Sequence, residues 1–320
     1  MGSANAMLAF LHSCWRIALA RVFRILRLPL IRKHIRNGDV ILLTRDEHAR
    51  GSWLLDLEEA LTARGVATST LSLSGFTGVE DSWGCLVNRV SDAAPPADVK
   101  VALATIRACE MRGIPVINGS YAYSIGTSKM LHYELFALTG LATPPFVVVR
   151  RGGPALVDVA VKAMLKYPLL IKPNAAGFGA GIVRVESAEE LAALGPAALD
   201  GAFGSDGIAL LQEFVAPEGG RTYRVWWAGG VVQRAVSIQP ACFSYNACVR
   251  SVPSQHWPVP AAVRAAVLEL ALLARADCGS VELLYSRGNA LYFDFNLLST
   301  LPQKADYSEL AHAVVRKKAL

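Results

Sequence analysis

The stretch YPLLIKPNAAGFGAGIVRV (167–185) constrains this 320-residue chain more than any other. A buried-type strand ends at Lys172, glycines follow at 177, 179 and 181, and a second strand begins directly after them. Glycines let backbone N–H groups approach phosphate oxygens closely, and a lysine on the preceding strand reaches the same oxygens as a point charge. The Rossmann fingerprint and the P-loop both fit poorly, because each opens a helix, and no Gly-Lys-Ser/Thr is present. Taken by itself, the stretch is equally compatible with an ordinary glycine-rich hairpin.

A second signal lies in GSVELLYSRGNALYFDFN (279–296), two strands joined by an Arg-Gly-Asn turn. Asp294 and Asn296 are two residues apart and share a strand face, and a hairpin brings Glu282 beside them. Three oxygen donors on one face suit Mg²⁺, which prefers carboxylates and shares its remaining shell with water and phosphates. An ordinary hairpin with polar outer positions is the alternative, although Asp and Asn are poor strand formers. The third signal is IALLQEFVAPEGGRTYRVWWAGGVVQRAV (208–236). Backbone groups around Gln212, Glu213, Phe214 and Val215 could read an adenine edge, Glu218 could take ribose hydroxyls, and Arg224 could hold phosphate or a carboxylate. Solvated charges beside a turn would look the same.

Around these segments the pattern is α/β first and strand-dominated later. Strands at 38–45, 66–73, 84–91 and 114–119 alternate with helices at 54–65 and 99–113, which predicts an open parallel sheet. A helix over 128–141 and strands at 144–150, 167–173, 208–215, 223–228, 231–238, 279–285 and 290–296 follow. The expected organisation is an N-terminal segment over 1–37, an α/β domain over 38–120, a central lobe over 121–207 and a C-terminal lobe over 208–320.

The formal net charge of +6 invites a nucleic-acid reading until its location is considered. Residues 1–36 hold seven basic residues and no acid, and without those seven the chain keeps 25 basic residues against 26 acidic ones. A neutral body argues against a nucleic-acid surface. The basic segment from Met7 to Leu30 reads as an amphipathic helix that packs on the body, lies on a membrane surface, acts as a transit-like element or binds a partner. Its arginines recur too often for a transmembrane span, and Met1–Ala6 resembles a cloning remnant. Six scattered cysteines (Cys14, Cys85, Cys109, Cys242, Cys248 and Cys278) show no Cys-x-x-Cys pair. They read as reduced, mostly buried thiols in a cytoplasmic protein.

In order and spacing, residues 114–302 resemble the ATP-grasp superfamily, most of all its RimK-type glutamate ligases and glutathione-synthetase relatives. That resemblance implies three lobes: a parallel-sheet domain, a central lid and a C-terminal metal-binding lobe. It places Lys129 and Lys172 as the nucleotide-binding lysines, Gly177, Gly179 and Gly181 as the phosphate loop, and LLQEFV as the adenine hinge. It makes Glu282, Asp294 and Asn296 the magnesium set, gives Arg224, Asn246 and Lys172 catalytic roles, and sets Arg89 near the substrate cleft. The implied activity is ATP-dependent ligation of a carboxylate to an amine, from amino acids or peptides, with Mg²⁺ (or Mn²⁺ in its place) and often in a homodimer. An inositol-phosphate-type kinase and a catalytically inactive nucleotide-binding protein are the alternatives. The chain departs from the pattern in four ways: Thr222 replaces an acid, Ser237 replaces a phosphate-directed arginine, LLSTLP (297–302) replaces the usual exit from the hairpin, and Glu282 and Asp294 exchange the lengths of the two acids, which a flexible carboxylate absorbs. Arg234 or Arg250 is the expected substitute for the missing cation.

Overall fold

In a computed structural model, the structure describes residues 38–48, 51–91, 93–177, 179–239, 254–297 and 307–319. The N-terminal amphipathic segment, Cys14, Cys242, Cys248, Asn246, Arg250 and most of the LLSTLP exit lie outside the described residues. Among the described residues, no helix is long and apolar enough to cross a membrane.

The first unit runs β1 (Val40–Thr44), α1 (Ser52–Thr62), β2 (Thr68–Ser72), β3 (Cys85–Asn88), α2 (Pro96–Met111) and β4 (Val116–Ile117). Its four strands form a sheet in the order β2-β1-β3-β4, with parallel pairing throughout. Unbroken apolar runs such as VILLT are what a sheet covered on both faces requires. Val40 and Leu42 face one core with Trp53 and Leu57 of α1, while Ile41 and Leu43 face another with Ala102 and Ile106 of α2.

After the short helix α3 (Ser120–Gly126) comes α4 (Lys129–Leu138), capped by Ser128, whose Oγ accepts the Leu131 amide. The central lobe contains β5 (Phe146–Arg150), α5 (Leu156–Lys162), β6 (Leu169–Pro173), β7 (Val183–Val185), α6 (Ala188–Ala192), α7 (Pro196–Phe203) and β8 (Ile208–Glu213). These strands make an antiparallel sheet in the order β5-β8-β6-β7. β8 lies between β5 and β6, and the chain leaves this sheet only after Glu213.

The last unit comprises β9 (Thr222–Ala228), β10 (Val231–Ile238), β11 (Ser254–His256), α8 (Ala261–Leu273), β12 (Cys278–Ser286), β13 (Asn289–Asn296) and α9 (Tyr307–Lys318). Its five strands are ordered β11-β10-β9-β12-β13. One face carries Val225, Trp227, Val281 and Phe295 against α4 and α8. The other brings Trp226, Ala228 and Cys278 into one core with the parallel sheet, α1 and α9. The C-terminal helix thus returns to the first unit and fastens it to the last.

Candidate active site

The junction between the central lobe and the five-stranded sheet is built around Asn174, two residues past Lys172. Its Oδ1 accepts from Ser128 Oγ (2.9 Å) and the Met130 amide (2.8 Å), and its carbonyl accepts the Lys129 amide at 3.1 Å. These bonds pin the N-terminus of α4 to the end of β6. Lys129 and Lys172 meet there for that reason, though 43 residues separate them in sequence.

Lys172 is 6% exposed. Its Nζ donates to Gln212 Oε1 (3.3 Å), the Phe293 carbonyl (3.3 Å) and Tyr133 Oη (3.4 Å), all neutral acceptors. Burial lowers its pKa to about 8, opposed by the charge of Asp294 and reinforced by Lys129. Tyr133 Oη in turn donates to Gln212 Oε1. Lys129 Nζ donates to the Ala176 carbonyl at the start of the glycine turn.

Within that turn the amides of Ala180 and Ile182 donate to the carbonyls of Gly177 (3.1 Å) and Gly179 (3.3 Å). Gly179 and Gly181 have φ of +71° and +75°. At Gly181 a Cβ would fall 2.4 Å from the carbonyl oxygen of Gly201 in α7, so close backbone packing also requires glycine there.

On the facing sheet, Arg224, Glu282 and Asp294 are register partners across β9, β12 and β13, and Arg224 forms an ion pair with Glu282. Two local features create this row. Arg287 and Gly288, both with positive φ, make a tight turn that pairs Ser286 with Asn289. Phe293 then bulges out of register, so that Glu282 stands opposite Asp294 instead of Phe293. Asn296 follows on the Asp294 face, opposite Ser280. Burial by itself raises the Asp294 carboxyl, but contact with His132 and the charges of Lys129 and Lys172 outweigh it and hold the group well below the usual carboxylate range.

Glu282, Asp294 and Asn296 thus offer hard oxygen donors on neighbouring positions of one face, and an ionised Asp294 is the species a divalent cation needs. This donor set fits Mg²⁺ or Mn²⁺. Among the described residues, no group of three or more His, Cys, Asp and Glu is arranged to hold a metal, so a cation here would complete its shell with Asn296, water or ligand oxygens.

The remaining predicted residues are placed less uniformly. The amides of Glu213 and Phe214 donate to the carbonyls of Pro145 and Pro168, both at 2.8 Å. Phe214 is covered by the Arg184 guanidinium, 4.1 Å from its ring centroid, and Glu213 Oε1 accepts the Lys166 amide at 2.9 Å. The Gln212 side chain turns inward to Lys172 and Tyr133. Glu218 Oε1 accepts the Gly288 amide at 2.7 Å, tying the segment after β8 to the β12–β13 turn. Arg89 lies just past β3, stacked 4.0 Å over Trp53 within the first unit.

Ser237 lies on β10. A bulge between Val232 and Arg234 shifts β10 by one residue, so Val236 pairs with Arg224 while Ser237 pairs with Tyr223 on the opposite face. Ser237 thus lies off the Arg224 face. The cation that reaches it is Arg221, whose Nη1 donates to Ser237 Oγ at 3.1 Å, while Arg234 stands beside Trp226.

Sequence reading missed Asn174, Tyr133 and His132. The first looks like a turn residue. The other two sit within KMLHYELFAL, where helical spacing from Lys129 was the one available signal.

Comparison with known proteins agrees with this architecture. Residues 135–220 match the family model described as D-ala D-ala ligase C-terminus. A D-alanine–D-alanine ligase of Burkholderia vietnamiensis is 29% identical over 203 residues, 60% of this chain and 62% of the relative. That of Geobacter sulfurreducens is 33% identical over 138 residues, 43% of this chain and 40% of the relative. The chain thus spans less than two thirds of the length of these curated relatives. Among solved structures, a RimK domain ATP-grasp protein from Sphaerobacter thermophilus superposes with a TM-score of 0.67 at 17% identity, covering 87% of this chain and 99% of the other. A D-alanine–D-alanine ligase from Bacillus anthracis gives 0.64 at 17% identity, covering 88% and 97%.

Proposed function

We propose that this chain, which has the ATP-grasp fold, is an ATP-dependent ligase that joins a carboxylate to an amine through an acyl phosphate. The observation that carries this reading is the convergence of Lys129 and Lys172 on the Arg224–Glu282–Asp294 row: both lysines act by charge on Asp294, and Lys172 also donates to the Phe293 carbonyl next to it. Two lysines, one from β6 and one from the N-terminus of α4, set beside a pair of carboxylates are the arrangement that phosphate and a divalent cation both require.

In this reading Lys172, Lys129 and the glycine turn hold the β- and γ-phosphates. Adenine lies against the segment after β8; because the amides of Glu213 and Phe214 are engaged, its edge falls to the Glu213 carbonyl and the backbone of Val215. Glu218 is assigned to the ribose. Glu282, Asp294 and Asn296 would hold Mg²⁺, which when bound neutralises phosphate charge. A substrate carboxylate oxygen attacks the γ-phosphorus and ADP departs. The amine nitrogen then attacks the acyl carbon, phosphate leaves with the C–O bonding pair, and the nitrogen loses a proton to give the amide. The protein supplies position and charge rather than a covalent nucleophile. Arg224 is assigned to stabilise the transferring group, Asn246 keeps the catalytic role that the resemblance gives it, and Arg89 is assigned to the substrate carboxylate.

Small amino acids are the proposed substrates, with D-alanine first among them, because the sequence relatives bear that ligase name. An ATP-consuming ligase with free, buried thiols at Cys85, Cys109 and Cys278 fits a cytoplasmic setting. Turnover with Mg-ATP, a mixture of amino acids including D-alanine, and hydroxylamine tests the intermediate. Hydroxamate formed in step with ADP supports the acyl phosphate, whereas turnover that yields a phosphate ester and no hydroxamate assigns the site to a kinase.

A further inference from the structure

His132 lies one helical turn beyond Lys129 on α4 and is 2% exposed. Its ring packs edge-on against Phe295, with centroids 6.0 Å apart and planes at 64°. Nδ1 is 3.4 Å from the Phe295 amide nitrogen and 3.5 Å from Asp294 Oδ1. Nε2 is buried and has no hydrogen-bond partner among the described residues. A buried imidazole with one unpaired nitrogen is costly, and an apolar side chain would fill the same space without that cost. What an apolar side chain lacks is a polar atom at the Nδ1 position.

That atom has two claimants. With its proton on Nδ1 the ring donates to Asp294; with its proton on Nε2 it accepts the Phe295 amide of the edge strand β13. Either bond fastens the ring to β13 at the residues that set the Asp294 side chain. Lys129 and Lys172 act on the same carboxylate by charge alone, which attracts it without fixing its rotation.

We infer that His132 is a positioning residue, holding the Asp294 carboxylate turned toward the cleft in the orientation that receives a divalent cation. The inference rests on the metal reading of Glu282, Asp294 and Asn296, and the test separates the two. Mn²⁺ binding to the full chain with ADP is measured by loss of the free Mn²⁺ paramagnetic resonance signal, with melting temperature followed in parallel. His132→Leu should weaken Mn²⁺ about 10–100-fold, as loss of an outer-sphere partner does. His132→Asn, which keeps a polar atom near the Nδ1 position, should restore most of the affinity, while His132→Gln, which places its amide near Nε2, should not. Asp294→Asn should abolish binding.

Wild-type Mn²⁺ affinity in His132→Leu, with loss in Asp294→Asn, overturns the role of His132 and leaves the metal site standing. Unchanged affinity in Asp294→Asn overturns the metal site and the inference with it. If His132→Leu does not fold, the amide pair decides: Asn binding more tightly than Gln supports the role, and equal binding overturns it.

Discussion

Lys172 on β6 donates a 3.3 Å hydrogen bond to the carbonyl of Phe293 on β13, so the central lobe grips the last sheet at its bulge. Without the bulge that carbonyl would stay in the ladder, and Glu282 would face Phe293 in place of Asp294. One irregular residue therefore both aligns the carboxylates and docks the lysine against them.

The buried Lys172 makes stability depend on pH in a defined window. Its pKa in the folded chain is about 8, lowered by burial from 10.5. Between these values the unfolded chain holds more of this proton, so its contribution to stability rises from pH 8 to pH 10.5 and is flat outside that range. Urea denaturation across this window should show a rise in the wild type that is smaller in Lys172→Met. Nucleotide affinity should run the opposite way, falling as pH passes about 8 and the ammonium is lost.

Gly181→Ala should destabilise the chain by about 2–4 kcal/mol, combining a left-handed backbone with a clash against α7. The added methyl would meet the Gly201 carbonyl at 2.4 Å and Pro173 at 2.8 Å. Thermal melting and ADP titration of the same variant should both register the change, because β6 carries Lys172 into this turn.

Glu282→Gln removes the partner of Arg224, whose Nε is already buried without a hydrogen bond. The expected loss is about 1 kcal/mol, because the Arg224 side chain is 30% exposed and the charge of Asp294 still acts on it. Pairing it with Arg224→Met should recover most of the stability and none of the ligase activity. Chemical denaturation of the two single variants and the double variant checks the coupling.

Asn118 joins the first unit to the last. Its Nδ2 donates to the carbonyls of Cys278 (3.0 Å) and Leu297 (3.2 Å), and its Oδ1 accepts the amides of Asp277 (2.8 Å) and Cys278 (3.2 Å). Asn118→Ala leaves several buried backbone groups unpaired and should cost at least about 2 kcal/mol. Hydrogen exchange should quicken at both ends of the β12–β13 hairpin.

The glycine turn and the carboxylate hairpin were legible in the sequence because each is local: two strands, one turn, and residue types that strands otherwise avoid. The parallel sheet was legible from continuous apolar runs such as VILLT. Bulges were not. Counting by twos along VVQRAVSI puts Ser237 on the Arg224 face, and the one-residue shift at Gln233 puts it on the other. The group formed by Asn174, His132, Tyr133 and Gln212 was hidden for a different reason, since α4, β6 and β8 lie far apart along the chain and each residue has an ordinary local explanation.

The activity proposed for this chain is amide formation driven by ATP cleavage to ADP and phosphate. Incubating the chain with Mg-ATP and a pool of small amino acids including D-alanine, followed by mass spectrometry and ADP assay, decides whether it occurs. The expected product is lighter than its two parents by one water, forms one-for-one with ADP and is lost in Lys172→Ala and Asp294→Asn. ADP released equally without any amino acid, or a product carrying the phosphoryl group, would contradict it.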